Sequence, residues 1–303
     1  ISNKNNGTET TQKDLIYTTP QIKIMTESDF AAYSEMRGSR DTMEDALISR
    51  PFICQGCDVY AVLDGHGGTD TANYGVFKIS ELFSEDTKSS IHKNDDDDDR
   101  NEDDDDDSPV SETFVRKKVK LLVESLREKG FTDGATMALA VVSDTKIAAA
   151  NLGDARVLLI REDGTIKFST KDHKPIIREE IDRILSVGGR IANERVDGVL
   201  AISRSLGDFS IHGVSYEPDI IVEDIDEEND KWIVICCDGV FDVVTNEDVG
   251  EMSKIAKNAA DFSYRLRNTA HVRLSTDNIS AMAIDLKARK KKVLEIRNNI
   301  KKK

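Results

Sequence analysis

Apolar residues recur at helical spacing in two stretches of the first half of the chain. In residues 69–84 the apolar positions fall at i, i+4, i+7 and i+11, which places them on one face of a helix. The same spacing returns in residues 111–129. The sequence therefore predicts two amphipathic helices, and their apolar faces indicate that both pack against the core of one domain.

Short apolar or alternating runs replace the helical pattern after Gly134. Turn residues separate the runs, as is typical of an antiparallel meander. Similar runs return near the C-terminal end of the chain, and a further helix is predicted around residues 177–188. Helices and meandering strands together indicate an α+β fold with helices packed outside the sheets. The predicted strands are Met137–Ser143, Lys146–Asn151, Arg156–Arg161, Thr165–Ser169, Trp232–Cys237 and Ile279–Leu286.

Charge is distributed very unevenly along the 303 residues. Residues 95–107 carry eleven acids and one arginine, and residues 287–303 carry nine basic residues and one glutamate. Residues 86–110 cannot bury apolar surface, so we expect a disordered acidic insertion there. Residues 1–22 are expected to form a disordered polar arm. The basic tail, 287–303, is open to three interpretations: a nuclear-import signal, an anionic-membrane signal or a solvated helix end.

The composition also excludes several classes of partner. The rest of the chain is moderately acidic, which argues against nucleic acid as its main partner. No apolar stretch approaches the roughly 20 residues of a membrane-spanning helix, and no signal peptide is visible at the polar start. The four cysteines are expected to be reduced thiols. We therefore expect a monomeric protein of the cytoplasm or nucleus.

Five acidic residues stand at the ends of apolar runs. Asp64 and Asp238 each come directly after such a run, and Asp277 stands just before another. Acids in these positions can converge on one rim of a sheet. Glu44 and Asp45 precede a further apolar run, and in extended backbone their side chains point to opposite faces. Only one of the two is then expected to bind a metal ion directly, with the other supporting it.

Clustered carboxylates repel one another unless a cation neutralises them. Oxygen ligands alone suit Mg²⁺ or Mn²⁺ better than zinc. Two such ions about 3.5–4 Å apart can bind a bridging hydroxide and hold a phosphate for in-line displacement. Gly65 and the glycines after it allow close approach of the backbone, and His66 supplies an imidazole, the type of side chain that most often donates or accepts a proton in catalysis. The sequence therefore predicts a two-metal site for phosphate chemistry.

Six motifs occur in the order that is typical of the type 2C metal-dependent protein phosphatases, the PPM family. The chain resembles this family over roughly residues 25–286. The resemblance implies an α-β-β-α sandwich, two antiparallel sheets flanked by helix pairs, over residues 23–286, and protein serine/threonine phosphatase activity. The motifs are R-x-x-M-E-D (Arg40–Asp45), V-x-D-G-H-G-G (Val62–Gly68), N-x-G-D-A-R (Asn151–Arg156), G-V-L-A-I-S-R-S-L-G-D (Gly198–Asp208), C-D-G-V-F-D (Cys237–Asp242) and S-T-D-N-I-S (Ser275–Ser280).

The resemblance implies a role for each acidic residue of the predicted metal site. Asp64 resembles the carboxylate that bridges both Mg²⁺ or Mn²⁺ ions. Asp238 and Asp277 resemble ligands of one ion, and Glu44 with the Gly65 carbonyl resembles the ligands of the other. These roles imply attack on phosphorus by a hydroxide that bridges the two ions.

Other positions resemble residues that act on the substrate or support the metal site. Asp45 would hold metal-bound water, and Arg40 would bind the phosphoryl oxygens. His66 resembles the general acid that protonates the leaving alkoxide. Asp154, with Asp238, resembles the ligands of a weaker third metal ion. The resemblance places Asp208 near the site without fixing its role.

Two other functions are considered for this chain, and one segment departs from the family pattern. A catalytically silent binding module with the same fold would dock partners through its charged segments, but the intact acids argue against it. A second alternative is an acidic calcium buffer at residues 95–107, but this run lacks the alternating ligands and central glycine of an EF-hand.

The segment Val243–Ala270 is short for the two covering helices that the family has there. Phosphoprotein specificity is expected to lie in the flap-like segment Lys171–Val199.

Overall fold

Two antiparallel sheets form the centre of the protein in the computed structural model, which describes residues 22–54, 56–84 and 108–301. One sheet has six strands and the other five. The six strands are, from edge to edge, β1 (Ile22–Ser28), β2 (Ala31–Met36), β16 (Ile279–Asp285), β15 (Asp230–Cys236), β9 (Arg156–Arg161) and β10 (Ile166–Ser169). The five are β14 (Asp219–Asp224), β8 (Lys146–Leu152), β7 (Met137–Val142), β4 (Cys57–Leu63) and β3 (Ala46–Cys54).

Five further, short strands are present among the described residues. They form a three-stranded sheet and a two-stranded hairpin. The small sheet contains β13 (Leu206–Gly207), β6 (Gly134–Ala135) and β5 (Gly65–His66), and the hairpin contains β11 (Ile191–Ala192) and β12 (Arg195–Val196). Strand β5 follows β4 after a single residue, Asp64, so the small sheet begins at the end of the five-stranded sheet.

Strand β4 shows why the sandwich has cores on both sides of a sheet. All of its residues are buried. Tyr60 and Val62 pack into the core between the two sheets. Val59, Ala61 and Leu63 point the other way, into the core between the sheet and its covering helices. Because both faces of the strand are covered, its sequence is a continuous apolar run instead of an alternation.

Helices cover the outer face of each sheet. The five-stranded sheet is covered by one pair and the six-stranded sheet by another. This arrangement confirms the predicted α-β-β-α sandwich. The helices are α1 (Asp70–Ser84), α2 (Glu112–Lys129), α3 (Arg178–Ser186), α4 (Asp238–Phe241), α5 (Asn246–Ile255), α6 (Ala259–Val272) and α7 (Leu286–Lys301); α1 pairs with α2, and α5 with α6.

The segment Val243–Ala270 departs from its expectation. It was expected to be short for two covering helices, yet it contains α5 and most of α6. Both helices fit because they are only 10 and 14 residues long and each has a side-chain cap at its start. Thr245 and Asp248 form a capping box, and the Asn258 side chain accepts a hydrogen bond from the third backbone N–H of α6.

The remaining predicted segments differ in how much of them the structure describes. The N-terminal arm, apart from Ile22, and the acidic insertion, apart from residues 108–110, lie outside the described residues. Most of the basic tail forms α7, which packs against β15 and β16. The flap-like segment contains α3 and the β11–β12 hairpin, which share a small apolar core with Leu200 and Ile202. Among the described residues, the structure has no helix with the length and apolar character needed to cross a membrane.

Candidate metal centre and active site

Strand ends from both sheets meet at one open cavity of about 700 Å³. Asp64 follows β4 in one sheet, whereas Asp238 and Asp277 flank β15 and β16 in the other. The convergence that the sequence predicted is therefore between two sheets, at one end of the sandwich. Eight predicted site residues line the cavity: Arg40, Glu44, Asp64, Gly65, His66, Asp154, Asp238 and Asp277.

Backbone contacts fix the position of Asp64 and its neighbour. The Asp64 N–H donates to the Thr136 hydroxyl at 3.1 Å, and the Thr136 N–H donates to the Asp64 carbonyl at 2.8 Å. A Cβ atom at position 65 would lie 2.4 Å from the Glu44 carbonyl oxygen. Glycine is therefore required at Gly65 for the Glu44 loop to approach Asp64.

Asn278 joins the Glu44 loop to the start of β16, a role that the sequence reasoning missed. Its Oδ1 accepts from the Glu44 N–H at 2.8 Å. Its Nδ2 donates to the carbonyls of Arg37 at 2.8 Å and Thr42 at 2.9 Å. Asn278 is itself buried. The signal was its place beside Asp277, where an Asp-Asn pair on its own is a common turn.

Glu44 and Asp45 lie in different surroundings. Glu44 lines the cavity, where its carboxylate accepts from the Thr42 hydroxyl at 2.7 Å and from the Gly68 N–H at 3.3 Å. Both carboxylate oxygens of Asp45 are buried. A ligand atom of Asp45 lies within 4.8 Å of one from Asp64 and of the Cys237 sulfur. Asp45 thus faces the interior behind Asp64, while Glu44 faces the cavity.

The acids at the centre of the cluster are held in an environment that disfavours their charge. Burial raises the pKa of Asp45 to about 6, with a smaller contribution from the charge of Asp277. Burial, together with the nearby Asp45 and Asp238, raises the pKa of Asp64 well above its usual range. Burial and Asp154 raise the pKa of Asp238 to about 7. Without a cation, the cluster holds protons at pH values where isolated carboxyl groups do not.

Unpaired oxygens in this cluster fit a hard cation. Both oxygens of Asp45 and Oδ1 of Asp238 are buried without a hydrogen-bond partner among the described residues. Such atoms carry a large desolvation cost unless a donor or a cation satisfies them. The Cys237 sulfur, in contrast, has protein partners, because it donates to the Asn278 carbonyl at 3.3 Å and accepts from the Ser280 N–H at 3.2 Å. The unpaired atoms of the cluster are therefore oxygens, the ligands that suit Mg²⁺ or Mn²⁺.

Arg40 and His66 stand at the edge of the cluster with the groups that orient them. The Arg40 guanidinium is more than half exposed and donates to the Asp277 carboxylate at 2.5 Å. His66 Nε2 lies 2.7 Å from Oδ2 of Asp208. The Ser205 hydroxyl donates to the same oxygen at 2.7 Å. The structure therefore gives Asp208, whose role the sequence left open, a direct contact with the imidazole.

Asp154 also lines the cavity, but it has a cationic partner. The Lys174 ammonium donates to its Oδ2 at 2.7 Å. The sequence reasoning did not find Lys174, because nothing in its spacing links it to Asp154, twenty residues earlier. A hairpin and a loop bring the two side chains together.

A protein family and several named relatives match most of the sandwich. The family model described as Protein phosphatase 2C matches residues 31–279. Protein phosphatase 2C homolog 2 of Saccharomyces cerevisiae is 31% identical over 70% of this chain and 47% of its own length. Protein phosphatase 1B of Mus musculus is 33% identical over 83% of this chain and 68% of its own length. The chain thus spans about half the length of the yeast relative and about two thirds of the mouse one.

Solved structures share the fold. A sex-determining protein of C. elegans matches with a TM-score of 0.70 and 24% identity, over 86% of this chain and 66% of that one. A serine-threonine phosphatase 2C from Toxoplasma gondii matches with a TM-score of 0.64 and 20% identity, over 88% and 99%. At these identities the likeness establishes the architecture alone.

Proposed function

Since the chain belongs to the protein phosphatase 2C family, we propose that it hydrolyses phosphoserine and phosphothreonine in proteins with the help of two Mg²⁺ or Mn²⁺ ions. The observation that carries the proposal is the set of buried, unpaired carboxylate oxygens on Asp45 and Asp238 beside Asp64. Such a set is costly in a folded protein unless a cation binds there.

The chain offers ligands for two ions and a weaker third. Asp64, Asp238 and Asp277 would hold one, and Glu44, Asp64 and the Gly65 carbonyl would hold the other. Asp154 and Asp238 would hold the third. When bound, the ions supply a hydroxide nucleophile and neutralise charge on the phosphoryl group.

Arg40 and His66 supply the chemistry that comes from the protein itself. Arg40 is exposed enough to turn from Asp277 to the phosphoryl oxygens, which its planar guanidinium can bind with two hydrogen bonds. His66 protonates the serine or threonine alkoxide as it leaves. Because Asp208 accepts a hydrogen bond from Nε2, Nδ1 would hold the proton that is delivered, and the Asp208 carboxylate would stabilise the imidazolium.

Turnover of p-nitrophenyl phosphate with and without Mn²⁺ tests the proposal directly. We expect hydrolysis that depends on Mn²⁺ and is lost in EDTA. An absence of turnover with the ion present would favour a silent binding module instead. The substrates are proposed to be phosphoproteins, and the monomeric state and the cytoplasmic or nuclear location stay predictions from the sequence.

The role of His66 has its own test. His66→Gln should lower turnover of a phosphoserine peptide by about 10²–10⁴, the range of general acid catalysis. The loss with p-nitrophenyl phosphate should be much smaller, because its leaving group is stable as an anion. His271→Gln, in the exposed last turn of α6, is the matched control and should leave both rates unchanged. Equal losses on both substrates in His66→Gln would mean that His66 only positions other groups.

A further inference from the structure

A lysine ammonium already pairs with one of the acids that line the cavity. Lys174 Nζ lies 2.7 Å from Oδ2 of Asp154. The Asp154 side chain lines the cavity and is only 6% exposed, and that of Lys174 is 32% exposed. Asp154 is thus a largely buried acid of the cavity that has a cationic partner within the chain.

The acid that Lys174 pairs with belongs to the carboxylate cluster. Asp154 lines the same cavity as Asp238, and these two acids were assigned above to a third cation. Lys174 is therefore the counterion of one of the two acids that the third ion needs.

The backbone holds Lys174 in this position. The His173 N–H donates to the Gly153 carbonyl at 2.9 Å, and the Gly153 N–H donates to His173 Nδ1 at 3.2 Å. The Asn151 amide donates to the Lys171 carbonyl at 2.9 Å. His173 is buried. These contacts tie the loop of Lys174 to the turn of Asp154, so their pairing follows from the fold and does not depend on a flexible surface side chain.

We propose that the Lys174 ammonium is a tethered counterion of Asp154, and that a third metal ion binds to Asp154 and Asp238 only when Lys174 moves away. The inference rests on the proposed function of the site. Asp45, Asp64 and Asp238 form no ion pair with a basic side chain among the described residues. Arg40 pairs with Asp277, but its side chain is more than half exposed and can turn away. The third ion must displace an ammonium whose loop is tied to the Asp154 turn, which weakens its binding.

Calorimetric titration with Mn²⁺ of the metal-free chain tests the inference through binding instead of turnover. Lys174→Gln should bind a third equivalent about tenfold more tightly, or more, than the wild-type chain, because a positive charge has left the position. Lys174→Arg keeps a cation there and should bind like the wild type. Lys171→Gln removes an exposed lysine three residues away and should change nothing.

Thermal unfolding gives a second measurement on the same proteins. Without metal, Lys174→Gln should melt at a lower temperature than Lys171→Gln, because the largely buried Asp154 has lost its counterion. Lys174→Met, which keeps most of the aliphatic stem, should do the same. With saturating Mn²⁺ both variants should gain more than the wild type does. Circular dichroism establishes that each variant is folded.

The outcomes separate this inference from the proposed function. If the wild type binds two equivalents of Mn²⁺ while Lys174→Gln and Lys174→Met bind the third no more tightly than it does, the inference is wrong and the function stands. If the wild type binds no Mn²⁺ at all, the proposed function is wrong and the inference falls with it. Tighter third-site binding in the variants, with Lys171→Gln unchanged, supports the inference.

Discussion

The two ends of strand β4 carry aspartates in opposite electrostatic situations. Asp58, at one end, is completely buried and lies 2.5 Å from the Arg289 guanidinium of α7. It also accepts from the Tyr60 hydroxyl and the Phe52 N–H, each at 2.9 Å. Asp64 follows the other end, where Asp45, Asp238 and their unpaired oxygens surround it.

Five residues of one strand thus separate an aspartate with a basic partner from one without. Among the described residues, no basic side chain forms an ion pair with Asp45, Asp64 or Asp238. A buried carboxylate with its own guanidinium belongs to the structure, because both charges are compensated within the chain. A buried cluster of carboxylates without a basic partner needs a cation from solution. The contrast identifies the functional end of the sandwich.

The largest expected effect on activity comes from removing an acid at the Asp64 end of β4, where the carboxylates have no basic partner. Asp64→Asn and Asp238→Asn should each lower kcat/KM for p-nitrophenyl phosphate by more than about 100-fold, because even residues that only support a metal ligand are worth 10–100-fold. Each change also relieves repulsion, so the melting temperature of the metal-free protein should hold or rise.

Glu124→Gln, an exposed acid on α2, is the matched control for both measurements. It should leave activity and melting temperature unchanged. Rates like the wild type in Asp64→Asn or Asp238→Asn would contradict the assignment of these acids to the metal centre.

Removing the basic partner of Asp58, at the other end of β4, should lower stability and leave activity unchanged. Arg289→Met leaves Asp58 buried without its counterion and should lower the free energy of unfolding by about 3 kcal/mol, as expected when one partner of a buried pair is lost. The rate per folded molecule should not change. The double variant Asp58→Asn/Arg289→Met should recover much of the loss, because no uncompensated charge is left.

Urea unfolding measures these stabilities, with Lys291→Met, an exposed residue of the same helix, as the control. A loss as small as that of Lys291→Met would mean that Arg289 contributes packing alone.

The smallest effect concerns pH. The pKa values of Asp45 and Asp238 are raised to about 6 and about 7, so between about pH 4 and 7 the folded, metal-free protein holds protons that the unfolded chain has released. Stability then falls as pH rises through this range. Melting temperatures in EDTA should show the fall, and Asp238→Asn should make it shallower. A stability in EDTA that rises over the same range would contradict the sign of these shifts.

The sequence determined the fold class and most of the acids of the site. Continuous apolar runs such as β4 must be covered on both faces, and the helical spacing in α1 and α2 supplies part of the cover. Acids at strand ends are readable because a charged residue beside an apolar run needs either solvent or a cation, although the sequence does not show which of the two it meets. The motifs then added Arg40 and His66, which no periodicity would have singled out.

Only the tertiary structure decided which charges are paired. Arg289 reads as one of nine basic residues in a tail, yet it is buried against Asp58, 231 positions earlier in the chain. From the sequence alone, Lys174 is a loop lysine, Asn278 is a turn residue and Asp208 is an acid without an assigned role. Each acquires its function from a partner distant in sequence, whereas apolar periodicity reports only which face of an element is covered. The local sequence pattern predicts which residues are buried. The packing of the whole chain determines which counterion lies beside a buried charge.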